Sequence, residues 1–442
     1  MINDRLMQVM SMVVSGTAIP IIIQTVGVSS PTMVQELTYL GVMNVRQAKL
    51  VPFLYGTATQ EVIPRINSLP YVSMVFYDEP TYAHVYPTAK LKFDSEVQIP
   101  LSDSVAITGA PFLWDQGITG AGVRIGVIDT GVSTEHDMLK PVLRGTYSAV
   151  PGVGVEDVQN HGSWCCSAAC GQLVETPKGL LEGAAPGASL YALKALDDDG
   201  KGQMSWVIDC IEKAVDDFEC DVISLSLGSL FDNGGVDPIS YTINSIARDH
   251  NVIPCIAAGN SFIPMSIGSP GGAVNSLTVG SVAVKTPGPG APSTFSSKGP
   301  TTTLIMKPDV AGPGGNVLAP SYVEAILAAS ADNTYSAMTG TSMATPQIAG
   351  CMALLKQVKN DLSRMEVEQL LAQTAFPTAK NAVNGYGLIQ MERIYKNLTS
   401  NQPVPPIGPL QQALANLQSA LYAPLAAIPR PESEELRAVR LF

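Results

Sequence analysis

Two kinds of hydrophobic pattern follow one another along the chain. Over residues 18–80 the apolar stretches are short and change period quickly. Pro20 to Val26 is a β-branched run. Ser30-Pro31 then starts a helix with apolar positions at Met33, Val34, Leu37 and Leu40, closed by Gly41. Val42 to Gln47 and Lys49 to Tyr55 read as strands, Thr57 to Leu69 as a helix, and Tyr71 to Tyr77 as an alternating strand. That β-α-β-β-α-β order predicts a small ferredoxin-like α+β domain over residues 1–86.

Residues 87–102 lose periodicity and gain Pro and charge, which reads as a linker. Over 103–398 the pattern becomes strand and helix in alternation. Val123–Asp129, Ser189–Leu196, Asp221–Leu225, Val252–Ile256 and Ser276–Val282 are nearly continuous apolar runs, as strands covered on both faces require. Helices are expected at His161–Cys170, Met204–Asp217, Ser342–Lys356 and Arg364–Thr374. The fold class is therefore α/β, a doubly wound and mostly parallel sheet, preceded by the smaller domain. Residues 399–442 form a Pro-rich tail in which Leu410, Leu414, Leu417 and Leu421 recur at 4, 3 and 4. That stripe suits a short helix docked on its own chain or a segment for contacts with another protein.

Composition narrows the function. With 46% hydrophobic and 14% charged residues the chain can bury a large core. A net charge of −12 sets it against nucleic acid and anionic membrane surfaces. No run of about 18 apolar residues predicts a membrane span. The first sixteen residues read as a short helix leading into the first domain rather than a cleaved leader. Seven cysteines sit mostly in apolar stretches without C-x-x-C spacing, so they read as small buried hydrophobes.

Three segments bring candidate chemistry. Ile125-Gly126-Val127-Ile128-Asp129-Thr130-Gly131 is an apolar strand ending in a carboxylate, and carboxyl ends of strands are where open α/β sheets place function. D-T-G also suits an aspartic protease, which needs two carboxylates sharing a proton; no second D-T-G or D-S-G is present. Asn160-His161-Gly162-Ser163 opens a helix with one of only four histidines, a candidate general base. Thr339-Gly340-Thr341-Ser342-Met343-Ala344-Thr345-Pro346 puts Ser342 at another helix start, where backbone N–H groups and the helix dipole face a developing anion. Pro346 has no N–H, so the Ser342 carbonyl loses its helical partner.

D-T-G, H-G-S and G-T-S-M-A-T-P in this order resemble the three signatures of the subtilisin-like serine proteases, whose Asp…His…Ser order is well established. The resemblance runs from about Ser104 to Ile394. It implies a serine endopeptidase made as a self-processing zymogen, with Asp129, His161 and Ser342 as the triad. Ala257-Ala258-Gly259-Asn260 is similar to the family's oxyanion segment and implies Asn260 as the side-chain donor, with Ala257, Ala258 and Gly259 beside the substrate. Ser224-Leu225-Ser226-Leu227-Gly228 resembles the strand that pairs with extended substrate. The family usually has a second histidine three residues after the catalytic one; Trp164 stands there, with Cys165 and Cys166 following, and is expected to pack rather than react.

The resemblance further implies polypeptide substrates, the N-terminal domain as the chain's own inhibitor, and no cofactor for catalysis. Thr81 to Tyr86 is expected to lie along Ser224–Gly228 with the processing cut after Tyr86. Because Pro87 makes that bond a poor substrate, a cut between Thr88 and Leu101 is the alternative. Asp197-Asp198-Asp199-Gly200 reads as a solvated acidic loop, with a structural calcium site as the alternative. A peptide ligase would use the same acyl-enzyme and differ only in its acceptor.

Overall fold

In the computed structural model, residues 1–84, 95–229, 234–318, 322–374 and 380–400 are described. Residues 85–94 of the expected processing region and the Leu-striped tail lie outside them. The chain forms two units, one over Met1–Tyr77 and the other over Asp78–Pro403. The stretch Asp78–His84, expected at the end of the first domain, thus belongs by its contacts to the second.

The first unit is a four-stranded antiparallel sheet in the order Met43–Gln47, Phe53–Ala58, Ile19–Thr25, Val72–Tyr77. Together with the helices Pro31–Leu40 and Ile63–Asn67 this is the expected ferredoxin-like order. Ile19, Ile21 and Ile23 alternate onto one face and pack with Leu37, Leu54 and Ile66. Ser30 caps the longer helix at the Met33 N–H, and Gly41 ends it with φ +100°, a value that an L side chain resists. The expected helix from Thr57 is shorter than its apolar pattern. Residues Thr57 and Ala58 pair with Pro20 and Ile19 instead, and the helix begins only at Ile63, with Pro64 in its first turn. A further helix, Asp4–Met12, precedes the first strand.

The second unit is built on a seven-stranded parallel sheet. Its order is Val310–Pro313, Leu277–Val282, Ile253–Ala257, Val222–Leu225, Arg124–Asp129, Ser189–Lys194, Leu143–Ser148. All five strands read from apolar runs are present. The edge strands Leu143–Ser148 and Val310–Pro313 carry too much Gly, Pro or charge to stand out by pattern. The helices His161–Cys170 and Thr341–Val358 are buried along most of their length and pack on each other.

One stretch of the expected linker is ordered structure. Ser95–Pro100 is a strand pairing in parallel with Tyr322–Ala329, and Leu101–Ala106 follows as a helix. All seven cysteines are buried and free. Among the described residues no helix is long and apolar enough to cross a membrane.

Candidate active site

The strand Arg124–Asp129 delivers Asp129 to the carboxyl edge of the sheet, and Gly131 turns the chain there with φ +115°. The helix opening at His161 meets this turn at very short range. A Cβ placed on Gly162 would lie 2.1 Å from the Gly131 carbonyl oxygen, so the glycine after His161 lets two backbones touch. His161 Nδ1 and Asp129 Oδ1 are 2.7 Å apart, both side chains being buried. Substituting Gly162→Ala is expected to push His161 off Asp129 and lower kcat/KM by about 10²-fold or more, with the wild-type rate in that variant counting against the contact.

A residue the motifs did not point to holds this corner together. Asp157 is buried and accepts hydrogen bonds from the Gln159, Asn160 and Ser163 N–H groups and from Thr130 Oγ1, all within 3.1 Å. Thr130 Oγ1 in turn accepts from the Gly162 N–H at 2.8 Å. An acidic residue four places before His161, at the mouth of a helix, is the signal that marks it. Burial pushes the His161 imidazole down, but the charge and hydrogen bond of Asp129, and then the charge of Asp157, outweigh it and leave the ring above its ordinary value.

Ser342 enters at the first turn of the helix Thr341–Val358. Its carbonyl, orphaned by Pro346, accepts from Ser226 Oγ at 3.0 Å and from Cys165 Sγ at 3.7 Å. The bond lost to proline is thus replaced from the neighbouring strand end. Ser342 Oγ donates to the His84 carbonyl oxygen at 2.6 Å, with Ser226 O as a second acceptor at 3.1 Å. His161 Nε2 has no partner among the described residues.

Asn260 Nδ2 donates to the same His84 oxygen at 2.7 Å. The amide is held in that orientation because its Oδ1 accepts from the Thr341 N–H and Oγ1, at 2.9 and 3.0 Å. Thr341 Oγ1 also receives the Gly259 N–H at 3.2 Å. Thr341 therefore joins the Asn260 segment to the Ser342 helix.

Pro80–Ala83 is the middle strand of a three-stranded antiparallel sheet, with Leu227–Gly228 on one side and Lys201–Gln203 on the other. The His84 N–H donates to Ser226 O at 3.0 Å. Only Ser226, Leu227 and Gly228 of the expected pairing strand meet this segment. Ser224 and Leu225 belong to the parallel sheet, paired with Val127 and Ile128. Ala257 is likewise in the parallel sheet, and the Ala258 N–H bonds to Val279 O, while a Cβ placed on Gly259 would lie 3.9 Å from the His84 ring. The partner strand Lys201–Gln203 was not legible, since its ladder is formed with Pro80–Tyr82, far away in the sequence.

Two groups of side chains resemble metal ligands. Ligand atoms of Asp129, His161 and Cys165 lie within 4.8 Å of one another. Burial pushes the Cys165 thiol well above its ordinary value, however, and His161 Nδ1 is already engaged by Asp129. The acidic run at Asp197 does not fit a cation. Asp197 Oδ1 accepts the Asp199 and Lys201 N–H groups, and Asp198 faces the Lys194 ammonium at 2.9 Å. Trp164 is buried, its Nε1 donating to Ile326 O, so it packs as expected.

Comparison with known proteins gives the family of the chain. The subtilase family model matches residues 120–388. Subtilisin E of Bacillus subtilis (strain 168) is 30% identical over 352 residues, covering 78% of this chain and 81% of that protein. Serine protease AprX of the same organism is 31% identical over 274 residues, 58% of this chain and 62% of that one. Subtilisin BL of Lederbergia lenta is 32% identical over 284 residues, 64% and 94% of the two chains. Catalysis in this family needs no cofactor, and its substrates are polypeptides. On the match of its larger unit and the identity it shares with these enzymes, the chain belongs to the subtilase family and is a serine endopeptidase.

Proposed function

We propose that Asp129, His161 and Ser342 act as the triad and Asn260 as the oxyanion donor, and that the first bond they cut is His84–Val85 of their own chain. One observation carries this reading: the carbonyl oxygen of His84 lies 2.7 Å from Asn260 Nδ2 and 2.6 Å from Ser342 Oγ. A carbonyl held by both groups is where an acyl-enzyme would form. The expected cut after Tyr86 is thereby moved two residues back, away from Pro87.

In the reaction the Ser342 hydroxyl turns from the carbonyl towards His161 Nε2, which takes its proton as Oγ attacks the His84 carbonyl carbon. Asp129 fixes the Nδ1–H tautomer and stabilises the imidazolium. Asn260 holds the oxyanion. The bond to the Val85 nitrogen then breaks, and that nitrogen leaves with the proton from His161. Water hydrolyses the ester, freeing Ser342 and giving a new carboxylate at His84. The released fragment ends in a strand seated in the cleft, so it serves as an inhibitor until it departs. Its ferredoxin-like part is also suited to template a parallel sheet, whose non-local contacts form slowly.

Intact mass followed over time tests the assignment. A product beginning at Val85 is expected; a first cut after Tyr86 or within residues 88–101 would overturn the bond assigned. Asn260→Ala is expected to lower kcat by about 10²–10³-fold, the size known for the subtilisin side-chain donor, with little change in KM. An effect on KM alone would make Asn260 a substrate-binding residue only.

A further inference from the structure

The His84 ring fills a slot whose walls come from three separate segments. A Cβ added to Gly228 would meet ring Cε1 at 2.8 Å and Nε2 at 3.1 Å, and one added to Gly259 or Gly268 would meet Cε1 at 3.9 or 3.8 Å. Glycine walls leave a space shaped for a flat ring. His84 is only 8% exposed, and its Nδ1 is buried without a partner among the described residues.

Among the described residues the polar surroundings of this ring are few. Backbone groups of Gly228 and Ser229 lie beside it, and the titratable groups that act on it, again among the described residues, are His161 and Asp129. Behind the wall, Asp237 is occupied by Ser269 Oγ at 2.6 Å and by the Ser240 N–H and Oγ. A neutral imidazole needs only one acceptor, for its single N–H. An imidazolium carries two N–H groups and would leave the one at Nδ1 buried and unpaired, a costly arrangement. Burial, and then the charge of His161, accordingly lower the His84 ring to about 4.

We propose that the pocket beside Ser342 selects neutral histidine at the position before the scissile bond. Peptides with histidine there are cut in proportion to their unprotonated fraction, and a permanent cation is refused. This rests on the reading that the His84 carbonyl is the one attacked.

The test uses the processed enzyme and the substrates Thr-Tyr-Ala-X-p-nitroanilide with X as His, Phe, Gln or Lys. Phe and Gln do not titrate, so their rates report His161 alone and serve as references. The kcat/KM ratio of His to either reference is expected to fall about tenfold from pH 8 to pH 5.5, as one proton on an ordinary imidazole of pKa ~6.5 dictates. The Lys substrate at pH 8 is expected to be at least about tenfold slower than the His substrate, from the cost of an unpaired buried charge. A ratio that stays flat with pH, or a Lys substrate as good as the His one, overturns the proposal.

Within the chain, the His84→Lys variant should accumulate uncut while His84→Gln is still processed; processing of His84→Lys at the wild-type rate also overturns it. The two readings fail separately. A first cut elsewhere, with the peptide ratios as expected, removes the assigned bond and keeps the pocket. A product beginning at Val85 with flat ratios keeps the bond and removes the selectivity.

Discussion

Ser342→Ala should leave a full-length chain that neither hydrolyses peptides nor cuts itself, with kcat lower by about 10⁶-fold, the loss known for the nucleophile of subtilisin. That factor corresponds to about 8 kcal/mol of barrier. The reason is positional. Among the described residues Ser342 Oγ is the side-chain hydroxyl that meets the His84 carbonyl held by Asn260. Cys165, the nearest thiol, is buried beneath His161, and its thiol is pushed well above the ordinary range, so it offers no thiolate to take over. Intact mass and turnover of an added peptide check the two halves of this expectation. A variant that still trims itself to Val85 would mean that another nucleophile, or another molecule, makes the cut.

Asp129→Asn is expected to be the next most damaging substitution, lowering kcat near neutral pH by about 10⁴-fold, the size known for the equivalent change in a Ser-His-Asp triad. An amide in that place no longer fixes the Nδ1–H tautomer or balances an imidazolium. The pH profile gives an independent readout. In the wild-type chain His161 is raised above its ordinary value, so the base is lost, and activity with it, as pH falls through a pKa above the usual imidazole range. Removing the Asp129 charge leaves burial to act with only the weaker pull of Asp157. The acid limb of the residual activity should therefore move to lower pH. A loss of rate with the limb unmoved would show that Asp129 acts on geometry and not on the charge of His161.

Much of this site was legible because its signals are local. A carboxylate at the end of an apolar strand, a glycine after His161 and a serine after Gly340-Thr341 each stand out in a short stretch of sequence, although the contact that requires Gly162 comes from Gly131, 31 residues earlier. The five central strands were readable for a related reason: being covered on both faces, they carry apolar runs that nothing else in the chain imitates. Even the orphaned carbonyl of Ser342 followed from Pro346 alone. Its partner, Ser226 Oγ, did not, because that hydroxyl arrives from 116 residues away.

Long-range pairing decided the remainder. Tyr322–Ala329 is rich in helix formers, yet it is a strand, since Ser95–Pro100 and Tyr335–Met338 flank it and its side chains are nearly all buried. Asp157 matters only because the fold brings Thr130 and the Ser163 N–H to the same carboxylate. The bond presented to Ser342 is the clearest case. Local chemistry around Tyr86-Pro87 argued for a cut at Tyr86 or beyond, whereas the strand Pro80–Ala83 is locked in register by Leu227–Gly228 and Lys201–Gln203, placing the His84 carbonyl against Ser342 Oγ. A strand's register belongs to its partners, and a shift of one residue turns every side chain to the opposite face. Motif and periodicity could point to Asp129, His161 and Ser342; only the packed fold could show which backbone carbonyl lies against Ser342 and Asn260.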